Sequence, residues 1–360
     1  MMAAWLRLLW TVTSIDLRQR VRGAAWYVLL GVFVALVFAV TALATIAVGF
    51  ESPGGGGVYS TVIFFVLLLA SLVSPALSGN AINGDRDAGT LATTQVTLVT
   101  TTQLLLGKLL ASWITALAFL VAAVPFILYT FALGGVAPRT VAISIGILTL
   151  ELLAVAAFGV GLSGLLRRPL FSIVVAYLVV ALFSVGTLIA FGLGGLAIHT
   201  TFAQEQRSVD WNAVGGKGID IYDPVTGVPD PKYCTVVSET RVTVPRFDAV
   251  WWMLAANPYV VLADAVPTAY GDGGYPSDLF GVIKLGVRSA QLTPWMSPYY
   301  SDCEAAPTDS RSPRAIIDST VPGWAVGLAI ELAIAAALMA GAIAATRAPA
   351  RRLGAGSRIA

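Results

Sequence analysis

Long uninterrupted apolar runs dominate the chain. Six of them, near residues 27–48, 58–77, 105–131, 141–165, 170–193 and 323–345, are long enough for a helix to cross a hydrocarbon core of about 30 Å. The first five follow one another with short polar breaks; residues 196–321 separate the fifth from the sixth. The third and fourth runs exceed the minimum length and are predicted to tilt or kink. Pro125 lies inside the third, where it removes one helical hydrogen bond. Ahead of the first run, Trp5, Leu6, Leu9 and Trp10 alternate with Arg7, Arg18, Arg20 and Arg22. That mixture predicts an amphipathic helix lying on a membrane face, with a solvated tail as the alternative. It lacks the order of a signal peptide, because most of its positive charges follow the first apolar cluster.

Composition agrees with the pattern. The chain is 57% hydrophobic and 12% charged, against about 25% charge in a soluble domain. Its mean hydropathy is +0.81. Such a chain needs lipid as solvent for most of its length. The net charge of +2 is uninformative about partners, since in a membrane protein the placement of charge matters more than its sum. One histidine and two cysteines leave no soft-ligand cluster for a metal. The expected fold is therefore an all-α polytopic membrane protein. It has six transmembrane helices, an N-terminal surface helix, and a mixed α/β insertion between helices 5 and 6. The expected division is 1–195, 196–321 and 322–360.

Basic residues set the expected orientation. Arg7, Arg18, Arg20, Arg22, Arg86, Lys108, Arg167, Arg168, Arg347, Arg351, Arg352 and Arg358 fall on one side of a six-span layout. Among the short connections Arg139 alone falls on the other. By the positive-inside rule both termini and residues 83–108 are expected in the cytoplasm, and residues 196–321 outside it. The excess of arginine over lysine, with abundant Ala, Gly and Val, points to a GC-rich bacterial genome, hence to a bacterial cytoplasmic membrane.

The outer segment has two textures. Around Tyr222–Gly227, Cys234–Val237 and Thr240–Val244, β-branched residues alternate with polar ones between turn residues, which predicts a hairpin or two. The apolar stretches Val250–Leu254 and Asn257–Ala265 are broken by Pro258 and Pro267 and read as a short interfacial or re-entrant helix pair. Trp295, Tyr299 and Tyr300 suit a membrane surface. Cys234 and Cys303 both fall here. Outside the cytoplasm they are expected to form a disulfide, contributing about 4 kcal/mol through loop entropy; two unpaired thiols are the alternative.

The most polar short connection within the apolar part is Asn83–Lys108, NGDRDAGTLATTQVTLVTTTQLLLGK. Asp85, Arg86 and Asp87 form a charged triplet. Gly89, Thr90 and Leu91 follow, and Leu104-Leu105-Leu106-Gly107-Lys108 leads into the third span. This order resembles the permease subunits of type-2 ABC transporters. The family's usual Leu-Leu-x-x-Pro is replaced here by Thr93–Thr97. The resemblance implies that Asp85, Arg86, Asp87, Gly89, Thr90, Leu91 and Lys108 belong to a coupling segment on which a separate ATPase docks; a solvated loop is the plainer alternative. Leu91, Leu98 and Val99 would give it an apolar face, and Thr102 would cap the third span. Asn257-Pro258 is similar to an Asn-Pro segment that precedes the last span in that family. The resemblance further implies a second permease chain and MgATP held by the ATPase subunits, with no cofactor in this chain. An accessory protein on the outer domain fits as well; no nucleic-acid partner is expected.

No G-x-x-x-x-G-K-[ST] occurs, so this chain is not expected to bind the phosphates of ATP itself. No enzymatic role is expected. Glu151 and Glu331 lie inside predicted spans, near the midplane. They would either line a substrate or proton path or bridge helices as hydrogen-bonded acids, for instance through Ser144 or Ser163. His199, the sole histidine, is expected at the outer end of the fifth span without a catalytic partner. Gly159-Val160-Gly161 and Gly192–Gly195 would permit close helix packing. Two other function classes stand beside the permease: a membrane-anchored interaction protein acting through its outer domain, and a polytopic enzyme such as a lipid or glycan transferase.

Overall fold

The computed structural model describes residues 2–48, 55–91, 99–215, 221–222, 228–271, 273–294, 296, 299–301 and 311–346. In chain order the principal elements are α1 (Met2–Val21), α2 (Ala24–Val48), α3 (Gly55–Ser78), α4 (Asn83–Asp87), α5 (Thr101–Ala132), α6 (Pro138–Leu165), α7 (Pro169–Ala181) and α8 (Thr187–Ala197). Then come β1 (His199–Val209), α9 (Trp211–Val214), β2 (Cys234–Pro245), α10 (Trp252–Ala255), α11 (Pro258–Ala265), α12 (Leu279–Ser289), β3 (Tyr299–Ser301), α13 (Pro313–Ser319) and α14 (Trp324–Thr346). Six candidate spans occur among the described residues: α2, α3 with α4, α5, α6, α7 continued by α8, and α14. The chain is a multi-pass membrane protein. The candidate spans imply that it sits in a lipid bilayer.

Two compact units divide it: Met1–Leu188 with Leu254–Lys284 and Pro322–Ala360, and Ile189–Met253 with Leu285–Val321. In the first, α3 is packed against α2, α5 and α6. Phe33 and Trp26 on α2 both meet Phe119 of α5 edge-on at 5.1 Å. Tyr59 donates to or accepts from Ser144 at 2.6 Å, tying α3 to α6. Two glycines of α6 allow a close approach of α14. A side chain on Gly161 would begin 2.8 Å from Leu338 Cβ, and one on Gly164 2.6 Å from Ala342 Cβ, both on α14. Contacts advance together along both helices, so α6 and α14 run parallel. The expected small-residue packing at Gly159-Val160-Gly161 is what the structure uses.

Pro125 lies inside α5 without ending it. The cap of α5 differs from expectation. Thr100, not Thr102, is the N-cap: its side chain accepts from the Gln103 amide, and Gln103 Oε1 accepts from the Thr100 amide at 2.8 Å. Thr102 has no glutamine three residues on, so the reciprocal box forms two residues earlier. The fifth span also holds a π-helical turn, Leu182–Gly186, between α7 and α8; nothing in its apolar composition announced it.

In the second unit β1 pairs antiparallel with β2, from His199 opposite Pro245 to Val209 opposite Cys234, with a register shift at Gln206/Arg207. β3 pairs parallel to β1. The expected short strands at Cys234–Val237 and Thr240–Val244 are one continuous strand. Its partner is β1, whose Gln- and Glu-rich sequence carries little strand signal. His199 is exposed at the start of β1. Trp295 lies outside the described residues, and Tyr299 and Tyr300 form the backbone of β3. Cys234 opens β2, while Cys303 lies outside the described residues.

Candidate functional sites

The first site gathers at the C-terminal end of α1 and the N-terminal end of α5. α1 lies along α5 because Gly107 lets it approach: a side chain there would begin 2.7 Å from Val12 Cγ1. Thr13 Oγ1 donates to Gly107 O at 3.3 Å, and Gln103 Nε2 donates to Trp5 O at 3.1 Å. Close packing brings a chain of alternating charge together. Arg20 reaches Asp16 at 2.8 Å, Lys108 reaches the other Asp16 oxygen at 3.0 Å, and the same ammonium reaches Asp85 at 2.8 Å. Arg20 also donates to Ser112 on α5 at 3.0 Å. Lys108 is 8% exposed and Asp85 26%, so water screens this chain less than a surface pair.

Arg86 faces inward too. Its guanidinium donates to Asn83 Oδ1, to Leu166 O at 3.3 Å and to Gly164 O at 3.5 Å. Those carbonyls end α6, where unpaired C=O groups and the helix dipole favour a cation. Ser163 Oγ accepts from the Ile82 and Asn83 amides at 3.0 and 3.1 Å. Gly89 turns the chain at φ +70, a conformation glycine adopts without strain. Leu91 packs on the buried cluster that contains Ile82 and Leu105. Thus Asp85, Arg86, Leu91 and Lys108 hold α1, α4, α5 and α6 together. Asp87, Gly89 and Thr90 are exposed. Residues 92–98, which include Thr93–Thr97 and Leu98, lie outside the described residues.

The second site is in the middle of the helices of the first unit. Glu151 of α6 and Glu331 of α14 are buried, 0% and 1% exposed. They line the wall of one cavity, where a proton on one carboxyl is within the same enclosed space as the other. No donor elsewhere among the described residues reaches either oxygen of Glu151. The expected serine bridges do not form: Ser144 is engaged with Tyr59 and Ser163 with the amides beyond α3. Both carboxyls line a cavity of about 10 Å³, close to the smallest that admits one water. Leu67, Ser71, Ser184 and Tyr259 share its wall.

The wall is shaped by Asn257. Its Oδ1 accepts from the Tyr259 and Val260 amides, capping α11, and its Nδ2 donates to Ser184 O and to Thr187 Oγ1 at 2.9 Å. The π-helical turn shifts the backbone pairing there, and the Asn257 amide bonds the Ser184 carbonyl. Pro258 sits at the first helical position of α11, where its missing N–H costs nothing. Farther along α11, Asp264 accepts from the Trp324 amide at 3.0 Å at the start of α14.

No protein-family model and no curated protein matches this chain.

What the structure establishes is a polytopic membrane protein with six candidate spans. Of the residues singled out in the sequence, it brings Asp85 and Lys108 together and sets Glu151 and Glu331 in the wall of one cavity. Asp87, Gly89 and Thr90 are exposed, with Thr90 Oγ1 donating to Asp85 O at 3.2 Å. Asp16 is the participant that sequence reasoning missed. A signal was present: it is the sole acid of α1, four residues before Arg20, but its long-range partner Lys108 could not be read from that spacing.

Proposed function

We propose that this chain is the membrane-spanning subunit of an ATP-driven exporter, similar to type-2 ABC permeases, and is energised by a separate ATPase. The observation that carries the reading is the ion-paired assembly of α1, α4 and α5, with Asp87, Gly89 and Thr90 left exposed beside it. A partner pressing on that exposed turn would load Asp85, and Lys108 and Asp16 would pass the displacement to α5 and α1. Buried ion pairs and close helix contact make those elements move together, as a rigid-body transition requires. The partner would hold MgATP, and a second permease chain would complete the pathway. In this reading the exposed turn and both termini are cytoplasmic in a bacterial cytoplasmic membrane. Cys234 and Cys303 would close a disulfide outside it, where residues 196–321 would receive an accessory protein.

Asp87→Lys tests the reading. In the reconstituted complex it should lower substrate-stimulated ATP hydrolysis at least severalfold while membrane insertion stays normal. Unchanged stimulation would remove Asp87 from the coupling surface.

A further inference from the structure

We propose that Glu151 and Glu331 form a proton-binding site inside the span bundle, the two carboxyls sharing a bound proton. The inference does not depend on the identity of any ATPase partner. Two ionised carboxylates side by side would be acceptors with no donor between them. Each would also be a buried charge without a counter-ion, which costs several kcal/mol per ion even after relaxation. Among the described residues no lysine or arginine lines the cavity.

The surrounding elements offer little else that ionises or ligates. α3 contributes Ser71, whose hydroxyl donates to Leu68 O at 2.8 Å. The π-helical turn contributes Ser184, whose hydroxyl donates to Val180 O at 2.7 Å. α11 contributes Tyr259, the sole titratable neighbour besides the two acids among the described residues, and the remaining wall they form is apolar. A metal cation needs several oxygen ligands and room for them, whereas this cavity barely admits one water. A proton needs only the two carboxyls. Binding is a single step: a carboxylate oxygen takes up a proton, an O–H bond forms, and that O–H donates to the facing carboxylate. The protonated pair closes the contact between α6 and α14, and loss of the proton sets like charges against each other across it.

Infrared spectroscopy of the full chain in lipid nanodiscs, with carboxyl-¹³C glutamate, tests this. The sequence contains six glutamates, and Glu205 and Glu239 are exposed. At neutral pH the wild type should show an isotope-sensitive carbonyl stretch of a protonated carboxylic acid, and Glu151→Gln combined with Glu331→Gln should abolish it. The unfolding temperature of the wild type should not change with sodium, potassium or magnesium. Absence of the band overturns the proposal. So does cation-dependent stability that the double variant loses, which would assign the site to a metal ion. If the double variant does not fold, the isotope shift in the wild type decides alone: present, it supports the shared proton; absent, it refutes it.

Discussion

Lys108 does more than follow a motif. Its ammonium is shared by Asp16 and Asp85 in a largely buried setting. Removing the ammonium leaves Asp16 with Arg20 alone and takes from Asp85 its ion-pair partner, which is the costly way to break a buried pair. Lys108→Ala should therefore lower stability by about 3 kcal/mol, somewhat less than in a fully enclosed pair because Asp85 is partly wet. Thermal unfolding in detergent checks this, and an unchanged midpoint would mean that the pairs are dispensable. Gly107→Leu should separate α1 from α5, since Val12 already occupies that space. Protease cleavage within α1 would report it. The sequence marked Gly107 and Lys108 as members of a motif, yet it could not say which way they face. Direction depends on α1 folding back across nearly a hundred residues, a contact that spacing does not encode.

At the scale of elements, local chemistry was legible and long-range geometry was not. The break of the apolar stretch at Pro258 predicted a short helix, and α11 is one. Its anchor to Ser184 was hidden, because a π-helical turn in a uniformly apolar span has no compositional mark. Asn257→Ala should cost about 2 kcal/mol through the lost cap and the lost bonds to Ser184 and Thr187. Asn257→Asp should restore the cap alone, so its unfolding midpoint should fall between the two. β1 was missed for a different reason. Its register comes from pairing with β2, not from an apolar face.

Where β2 ends, Arg246 donates two bonds of 2.8 Å to Asp248 and one of 3.1 Å to Thr200. The hydrogen bond from Arg246 holds the Asp248 carboxyl below the usual carboxylate range. A depressed folded-state value means that this stabilisation is present above the unfolded value, about 4, and disappears as pH falls through the folded one. Protection of the β2 amides, taken relative to their intrinsic exchange rates, should fall on that acid limb, and Arg246→Gln should flatten the dependence. Protection that does not change with pH in the parent protein would contradict the assignment.

For the whole molecule, hydropathy was sufficient to place all six spans. The expected 141–165 and 323–345 correspond to α6 and α14 within a few residues, because a helix in lipid must satisfy its backbone internally. The sequence also placed Glu151 and Glu331 within those spans, but their pairing required the parallel packing that Gly161 and Gly164 permit. The exposed turn at Asp87–Thr90 remains the point where the proposed function meets the structure. A photo-crosslinking residue at Asp87, introduced into the full chain in native membranes and followed by mass spectrometry, examines it directly. The account predicts a crosslink to a chain carrying G-x-x-x-x-G-K-[ST], one that is lost when the probe is moved to the buried Ser112. Crosslinks confined to lipid, or to proteins without that phosphate loop, would contradict it.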